Sequence, residues 1–159
     1  MANKRMAMTW QGEPPSPSQI PGMRLLARSD GEGLGRLLYQ GYHGGVDDQG
    51  ESEEDAIAEA GKTLAGEYGN PLWNASFVVE RQSRLICASV VTEYEGTPLL
   101  AFCVTAPPFQ RQGLAQGLVR ESMRSVRQLG WPRLRLVVTR ANVPAVNLYR
   151  KLQFVDETA

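Results

Sequence analysis

The run Leu-Leu-Ala-Phe-Cys-Val at residues 99–104 contains no polar side chain, and turn-forming residues stand on both sides of it. Residues 95–98 make a turn before the run, and Pro107 and Pro108 stop it. So short an apolar run between turns predicts a strand that is buried on both faces of a sheet. Residues 114–129 follow with apolar side chains at helical spacing, and Gly130 ends this helix. The sequence thus predicts an inner strand that leads through a short loop into a long helix.

Periodicity and turn signals predict further elements, in the order strand, helix, helix, three strands, helix, strand, helix, strand. The predicted strands are 23–28, 75–80, 85–93, 99–104, 134–138 and 154–155, and the helices are 30–42, 52–66, 114–129 and 144–152. This order is typical of an α/β (α+β) fold with a mixed sheet, here a single domain over residues 23–159. Residues 1–22 are predicted to be a flexible N-terminal arm, because their prolines exclude a helix or an inner strand.

The composition excludes several classes of protein. A chain of 159 residues, 42% hydrophobic and 21% charged, suits one globular domain, and its net charge of zero gives no indication of a nucleic-acid partner. No apolar run reaches the roughly 20 residues of a membrane-spanning helix, and no secretory signal is visible. Cys87 and Cys103 lie in apolar runs and are expected to be reduced, which predicts a cytoplasmic protein. His43 is the single histidine, so no metal site is expected.

The charges are unevenly distributed along the chain. Residues 30–67 contain ten acidic and two basic residues, whereas residues 110–151 contain nine basic residues and one acidic residue. Two oppositely charged solvated faces would explain this pattern. An anion-binding C-terminal half beside a cation-attracting N-terminal half would explain it equally well.

The loop Gln-Arg-Gln-Gly-Leu-Ala at residues 110–115 carries the strongest chemical signal. It lies where a strand runs into a helix, and the first N–H groups of a helix have no partner within it. Gly113 allows the backbone to approach a ligand, and the small Ala115 leaves that approach open. Such a loop suits a pyrophosphate, although an ordinary strand-to-helix loop has the same composition.

A second segment, residues 142–154, begins with an amide at the start of a predicted helix and places a tyrosine two turns later. Asn142 alone reads as a helix cap, and Tyr149 alone reads as a half-buried packing residue. A functional role for these two residues therefore depends on the loop 110–115 that precedes them in the sequence.

Together, in this order and at this spacing, the two segments resemble the GNAT superfamily of acyl-CoA N-acyltransferases. Gln110, Gly113 and Ala115 match its Gln/Arg-x-x-Gly-x-Gly/Ala pyrophosphate loop, and Asn142 and Tyr149 match its Asn…Tyr segment. The resemblance implies the GNAT fold, a mixed and mostly antiparallel central sheet flanked by helices. In that fold the fourth strand ends at a bulge and splays from the fifth strand.

The resemblance also implies that acetyl-CoA is the cosubstrate and that a primary amine accepts the acetyl group. Pantetheine would lie in the splay, along the strand edge that includes Phe102 and Val104. The pyrophosphate would bind the loop Gln110, Arg111, Gln112, Gly113, Leu114 and Ala115. Asn142 would bond pantetheine, and the Tyr149 hydroxyl would protonate the leaving thiolate, with no enzyme nucleophile and no metal.

The sequence departs from the family pattern at three places. Leu99 stands near the position where some members carry a carboxylate base. The candidate bases are therefore Glu93 and Glu95 of the adjoining hairpin. Both residues are equally well explained as exposed charges of that hairpin. Gln153 replaces the usual glycine, so a non-glycine residue must accept that turn. The chain also stops before a seventh strand. The sheet edge is then bare, paired by a second subunit in a homodimer, or filled by residues 6–10 of the arm.

The acceptor is expected to lie against the first two helices, where acidic and aromatic residues would suit a cation. These residues are Tyr39, Tyr42, His43, Asp47, Asp48 and Glu51. A small amine is the first hypothesis. Acetylation of a protein lysine or N-terminus, and a CoA-binding regulator without turnover, are the alternatives.

Overall fold

A computed structural model describes residues 4–157, and within this range it contains a sheet of eight strands and four α-helices. The strands are β1 Arg5–Trp10, β2 Met23–Leu25, β3 Asn70–Pro71, β4 Phe77–Arg81, β5 Arg84–Tyr94, β6 Thr97–Thr105, β7 Leu134–Thr139 and β8 Val155–Asp156. The helices are α1 Gly31–Tyr42, α2 Glu53–Leu64, α3 Leu114–Gln128 and α4 Val143–Lys151. None of these helices is long and apolar enough to span a bilayer.

The strands are ordered β2-β4-β5-β6-β7-β1-β8, and β3 pairs with β5. β6 and β7 run parallel, whereas the other paired strands named here are antiparallel, which confirms the predicted α/β fold with a mixed sheet. The β5–β6 register shifts at Val90/Val91, and Ala101 is the extra residue on β6. β6 pairs with β7 only at Leu99 and Leu100. Beyond this bulge the two strands separate, and the gap between them is the opening that positions the site.

Helices cover both faces of the sheet. Leu34, Leu37 and Leu38 of α1 are buried in one cluster with Val90 of β5. On the other face, residues of α3 and α4, including Val119 and Tyr149, share a cluster with β1 and β7. Alternate side chains of an inner strand point to opposite faces, so an apolar run such as that of β5 supplies both cores.

The predicted flexible arm is wrong for residues 5–10, because these form β1. All six residues of β1 pair antiparallel with β7, and β8 pairs on its other side. Met6, Met8 and Trp10 are buried in the core, in strict alternation along the strand. The domain therefore begins before residue 23. The edge beside β7 is filled by this chain's own N-terminal segment, the third of the three predicted possibilities.

Residues 11–22 are also held against the domain. The Ser18 backbone N–H donates to Glu121 Oε2 at 2.7 Å, and the Ser18 hydroxyl donates to the Gly117 carbonyl at 2.9 Å. Both acceptors belong to α3. The proline-rich segment is thus irregular in backbone form but is fixed by hydrogen bonds to the long helix. The ends of the arm and of the chain, residues 1–3 and 158–159, lie outside the described residues.

Candidate active site

Two cavities meet in the gap between β6 and β7. The loop-side cavity, about 590 Å³, lies against the loop that precedes α3. The helix-side cavity, about 720 Å³, lies against α1, α2 and the loop between them. Six residues line both cavities and are called the junction: Tyr42, Asp47, Cys103, Asn142, Ala145 and Tyr149.

The loop before α3 has the geometry of an anion site. Gly113 caps α3 with φ 79° and Arg111 has φ 64°, so both residues have a positive φ, a conformation typical of tight turns. The backbone hydrogen bonds of the helix begin at Gly117, whose N–H donates to the Gly113 carbonyl at 3.0 Å. The N–H groups before it have no partner within the helix. A Cβ atom built on Gly113 would meet no atom within 4 Å, so the space in front of the loop is open. Gln110 Nε2 donates to the Thr105 carbonyl at 3.1 Å and ties the loop to the end of β6.

Most of the predicted cofactor residues line the loop-side cavity. They are Val104, Gln110, Arg111, Gly113, Leu114, Ala115, Asn142 and Tyr149. Phe102 lines the helix-side cavity instead. Gln112 lines neither cavity. The roles of Phe102 and Gln112 in cofactor binding stay predictions.

Asn142 and Tyr149 are positioned by α4. Asn142 caps this helix by accepting a hydrogen bond from the Ala145 N–H at 3.3 Å, as its sequence context indicates. Two turns later Tyr149 is only 7% exposed and packs edge-on against Phe154, with ring centroids 5.8 Å apart. Gln153 ends the helix with φ 75°, so a non-glycine residue does accept the left-handed turn there.

The junction is a poorly solvated place for ionisable groups. Burial, and then the neighbouring Cys103 thiol, raise the pKa of Tyr149 well above its usual value. Burial is also the main cause that raises the pKa of Cys103 to about 12. The pKa of Tyr42 is raised for the same reason, with Cys103 and Asp47 as further causes. All three groups are therefore neutral near pH 7.

Asp47 links the α1–α2 loop to the far side of the gap. One of its oxygens accepts from the Thr139 hydroxyl at 2.6 Å, and the other accepts from Asn142 Nδ2 at 3.3 Å. Thr139 ends β7 and Asn142 caps the start of α4. The carboxylate therefore connects the α1–α2 loop to both β7 and α4. It is the only carboxylate that lines both cavities among residues 4–157.

The predicted acceptor wall is brought together in the structure. Tyr39, Tyr42, His43, Asp47, Asp48 and Glu51 all line the helix-side cavity. Sequence reasoning missed Asp55 and Glu59 of α2, which line it as well. Their separation of four residues on a predicted helix was a visible signal that both lie on one face.

The structure does not bring Glu93 and Glu95 to this site. Glu93 pairs with Pro98 across the β5–β6 hairpin, and Glu95 lies in the turn with φ 51°. Pro98 precedes Cys103 by five residues, which in a strand is about 16 Å. Neither glutamate lines either cavity. Among residues 4–157, no group of three His, Cys, Asp or Glu side chains is arranged to hold a metal ion.

Comparison with known proteins identifies a family. A family model described as "Acetyltransferase (GNAT) family" matches residues 52–154, more than half of the chain. A search of curated proteins finds no match.

Solved structures share the fold at low sequence identity. The GCN5-related N-acetyltransferase of Sphaerobacter thermophilus is 14% identical with a TM-score of 0.74, over 96% of this chain and 48% of that one. The ribosomal-protein-S18-alanine N-acetyltransferase of Escherichia coli is 21% identical with a TM-score of 0.62, over 82% and 74%. The diaminobutyrate acetyltransferase of Paenibacillus lautus, solved with its substrate and coenzyme A, is 14% identical with a TM-score of 0.60, over 82% and 72%. The chain spans about half the length of the Sphaerobacter protein.

Proposed function

This chain belongs to the acetyltransferase (GNAT) family, as its sequence predicts, and we propose that it transfers an acetyl group from acetyl-CoA to the primary amine of a small molecule. The observation that carries the proposal is the junction, where one almost fully buried tyrosine lines both cavities. A donor in one cavity and an acceptor in the other would meet at Tyr149.

Acetyl-CoA would occupy the loop-side cavity. Its pyrophosphate would accept hydrogen bonds from the free N–H groups at the start of α3, where the helix dipole is positive. Its pantetheine would follow the unpaired edge of β6 after the bulge, near Val104, and would reach the Asn142 amide. The thioester would then lie at the junction, with backbone groups of β6 available to polarise its carbonyl.

The reaction would proceed by direct attack. The amine nitrogen adds to the thioester carbon, the tetrahedral intermediate collapses, and the C–S bond breaks. The Tyr149 hydroxyl gives its proton to the leaving sulfur and is reprotonated by one of the protons that the amine nitrogen releases. Burial raises the pKa of Cys103 to about 12, and a thiolate leaving beside it would experience the same desolvation. The proton affinity of the thiolate would therefore rise together with that of the phenol, which keeps the transfer feasible.

Cys103 is the one thiol of the junction, and its raised pKa argues against an acyl-enzyme intermediate on this residue. A thiol with a pKa of about 12 is protonated at neutral pH, and only the thiolate attacks a thioester efficiently. Direct transfer from acetyl-CoA to the amine, without an acyl-enzyme, is the simpler mechanism.

An alkylammonium acceptor must lose a proton before it attacks. Glu93 and Glu95 lie far from the junction, so Asp47 is better placed to accept this proton, directly or through water. A second proton leaves the nitrogen after attack. One of the two restores the Tyr149 hydroxyl after its proton has passed to the CoA thiolate, and the other is released to solvent. Asp47 and Tyr149 line the same junction, so proton transfer between them would need only a short path.

The experiment is a panel of amines incubated with acetyl-CoA, with thiol release and the mass of the acetylated product as readouts. Transfer to small amines supports the proposal. Transfer only to lysine peptides or to protein N-termini would identify a protein acetyltransferase. Acetyl-CoA binding without transfer to any acceptor would identify a regulator. The two cysteines are free thiols, so we propose a reducing, cytoplasmic location.

A further inference from the structure

The helix-side cavity has a strongly negative wall. Its cations are Arg5 and Lys62, and its carboxylates are Asp47, Asp48, Glu51, Asp55 and Glu59. Lys62 Nζ lies 3.8 Å from Glu59 Oε1, but a carboxylate has about four acceptor positions and this pair is half exposed. The negative charge therefore exceeds what the wall's own cations neutralise.

The carboxylates are distributed along the cavity. Asp47 lies at the junction. Glu51 lies in the loop two residues before α2, and Glu59 lies more than one turn inside that helix. An α-helix rises 1.5 Å per residue, so Asp55 and Glu59 are about 6 Å apart along the axis. A ligand that extends from the junction along α2 would thus meet negative charge again.

The cavity connects this wall to the place where the acetyl group would be transferred. The same cavity reaches Tyr149, which is only 7% exposed, and the splayed β6 edge where the thioester would lie. Tyr39 and Tyr42 add aromatic surface, which attracts cations and also packs against alkyl chains. The volume of about 720 Å³ lies within the range of small-molecule sites.

We propose that the acceptor is a small linear amine that carries at least one further positive charge. This inference rests on the proposed function and specifies its substrate. The reacting nitrogen lies at the junction beside Asp47, the alkyl chain lies against the tyrosines, and the second ammonium lies between Glu51 and Glu59. The atom balance of the reaction is unchanged, because the second ammonium binds and does not react.

The test compares two matched pairs of acceptors: butane-1,4-diamine with butylamine, and hexane-1,6-diamine with hexylamine. Each pair has the same carbon chain, and only one member has the second charge. For at least one pair we expect kcat/KM of the diamine to exceed that of the monoamine by about tenfold, the effect of two partly exposed ion pairs of up to about 1 kcal/mol each.

Two double variants complete the design. In Glu51→Gln with Glu59→Gln, the diamine-to-monoamine ratio of kcat/KM should fall by about tenfold. Glu53→Gln with Glu54→Gln removes the same charge from the first turn of α2, but neither residue lines the cavity, so the ratio should stay within about twofold.

The possible failures are distinguishable. A ratio near one in the parent protein, or an equal fall in both double variants, would overturn the inference and leave acetyl transfer standing. If the folded protein binds acetyl-CoA and acetylates none of the four amines, the proposed small-amine function is itself wrong, and the inference fails with it.

Discussion

Tyr149 is the most deeply buried side chain of the junction, with only 7% of its surface exposed. Its hydroxyl is held protonated by burial and lies where two cavities meet. In Tyr149→Phe we expect kcat to fall by about 10²- to 10³-fold, because the leaving thiolate would have no proton donor. Affinity for CoA should change by less than about threefold, since this interaction matters mainly as the C–S bond breaks. Steady-state kinetics and calorimetry measure the two quantities.

Tyr94→Phe is the matched control, because Tyr94 ends β5 at the hairpin and lines neither cavity. It loses the same hydroxyl and should keep both kcat and CoA affinity. A Tyr149→Phe protein that turns over as fast as the parent would remove this residue from the mechanism.

Asp30 is a buried carboxylate that stays charged, because hydrogen bonds compensate for the loss of water around it. Its oxygens accept from Arg24 Nη1 and Nη2 at 2.8 and 2.9 Å and from the Ala27 N–H at 2.8 Å. The hydrogen bonds from Arg24 are the main cause that lowers the pKa of Asp30. A carboxylate whose pKa is lower in the folded state stabilises the fold above its unfolded pKa, about 3.9, and loses this contribution as pH falls through the folded value.

Asp30→Asn should therefore lower the free energy of unfolding by about 2 kcal/mol at pH 7, the range for hydrogen bonds to charged groups. The difference from the parent should shrink as pH falls below about 4. Urea unfolding across this range measures it. Glu32→Gln, which breaks only the exposed pair with Arg36, should cost less than about 0.5 kcal/mol at every pH. A deficit in Asp30→Asn that is constant with pH would contradict the assignment.

At the scale of elements, β1 is the strand that sequence reasoning placed in a flexible arm. It inserts between β7 and β8, and Met8 in its centre has no exposed surface. Met8→Ala should lower the free energy of unfolding by about 3 kcal/mol, the usual cost of a cavity of this size. Gln11→Ala, one residue after the strand and exposed, should change it by less than about 0.5 kcal/mol. Urea unfolding of both variants tests this, and equal stabilities would mean that the segment is not part of the core.

The elements that sequence predicted well are those that local pattern determines. The start of α3 at Leu114 follows from Gly113, and the start of α4 follows from the Asn142 cap and the proline after it. Local pattern did not predict β1 as a strand, and residues 6–10 were only one of three possibilities for the sheet edge, because the alternation of Met6, Met8 and Trp10 has only three apolar positions and precedes a proline-rich stretch. Its partner, β7, is more than a hundred residues away, so no local rule predicts the pairing.

The candidate site follows the same division. The loop before α3 and the α4 pair are short motifs, and most of their residues line the loop-side cavity. Glu93 and Glu95 are close to Leu99 in sequence, but each further residue of an extended strand adds about 3.3 Å to the distance. Asp47 reaches Thr139 and Asn142 from a loop some ninety residues earlier, a contact that only the tertiary fold creates.

At the scale of the whole molecule, the separated charges of the sequence become the surroundings of the two cavities. Arg111 of the basic half lines the loop-side cavity together with Asp47. The helix-side cavity is lined by five carboxylates of the acidic half and by two cations, Arg5 and Lys62. A cationic acceptor would be drawn to the helix-side cavity by its excess of carboxylates, and Arg111 would attract the phosphates of a donor in the loop-side cavity. The acidic part of the sequence pattern thus coincides with the helix-side cavity, whereas the basic part contributes Arg111 to the loop-side cavity.

This arrangement predicts that CoA affinity depends on salt, and that substitution of Arg111 changes this dependence whereas substitution of Arg36 does not. Raising NaCl from 50 to 500 mM should increase the Kd of CoA by about threefold or more, because the Debye length falls from roughly 14 to 4 Å and screens the basic half. Arg111→Gln, in the loop that lines the cavity, should weaken binding at low salt and flatten the dependence. Arg36→Gln, in the acidic half and paired with Glu32 on α1, should leave the slope unchanged. Calorimetric titrations at four salt concentrations measure the slopes, and a Kd of CoA that is insensitive to salt in the parent would show that the phosphates bind elsewhere or through backbone N–H groups alone.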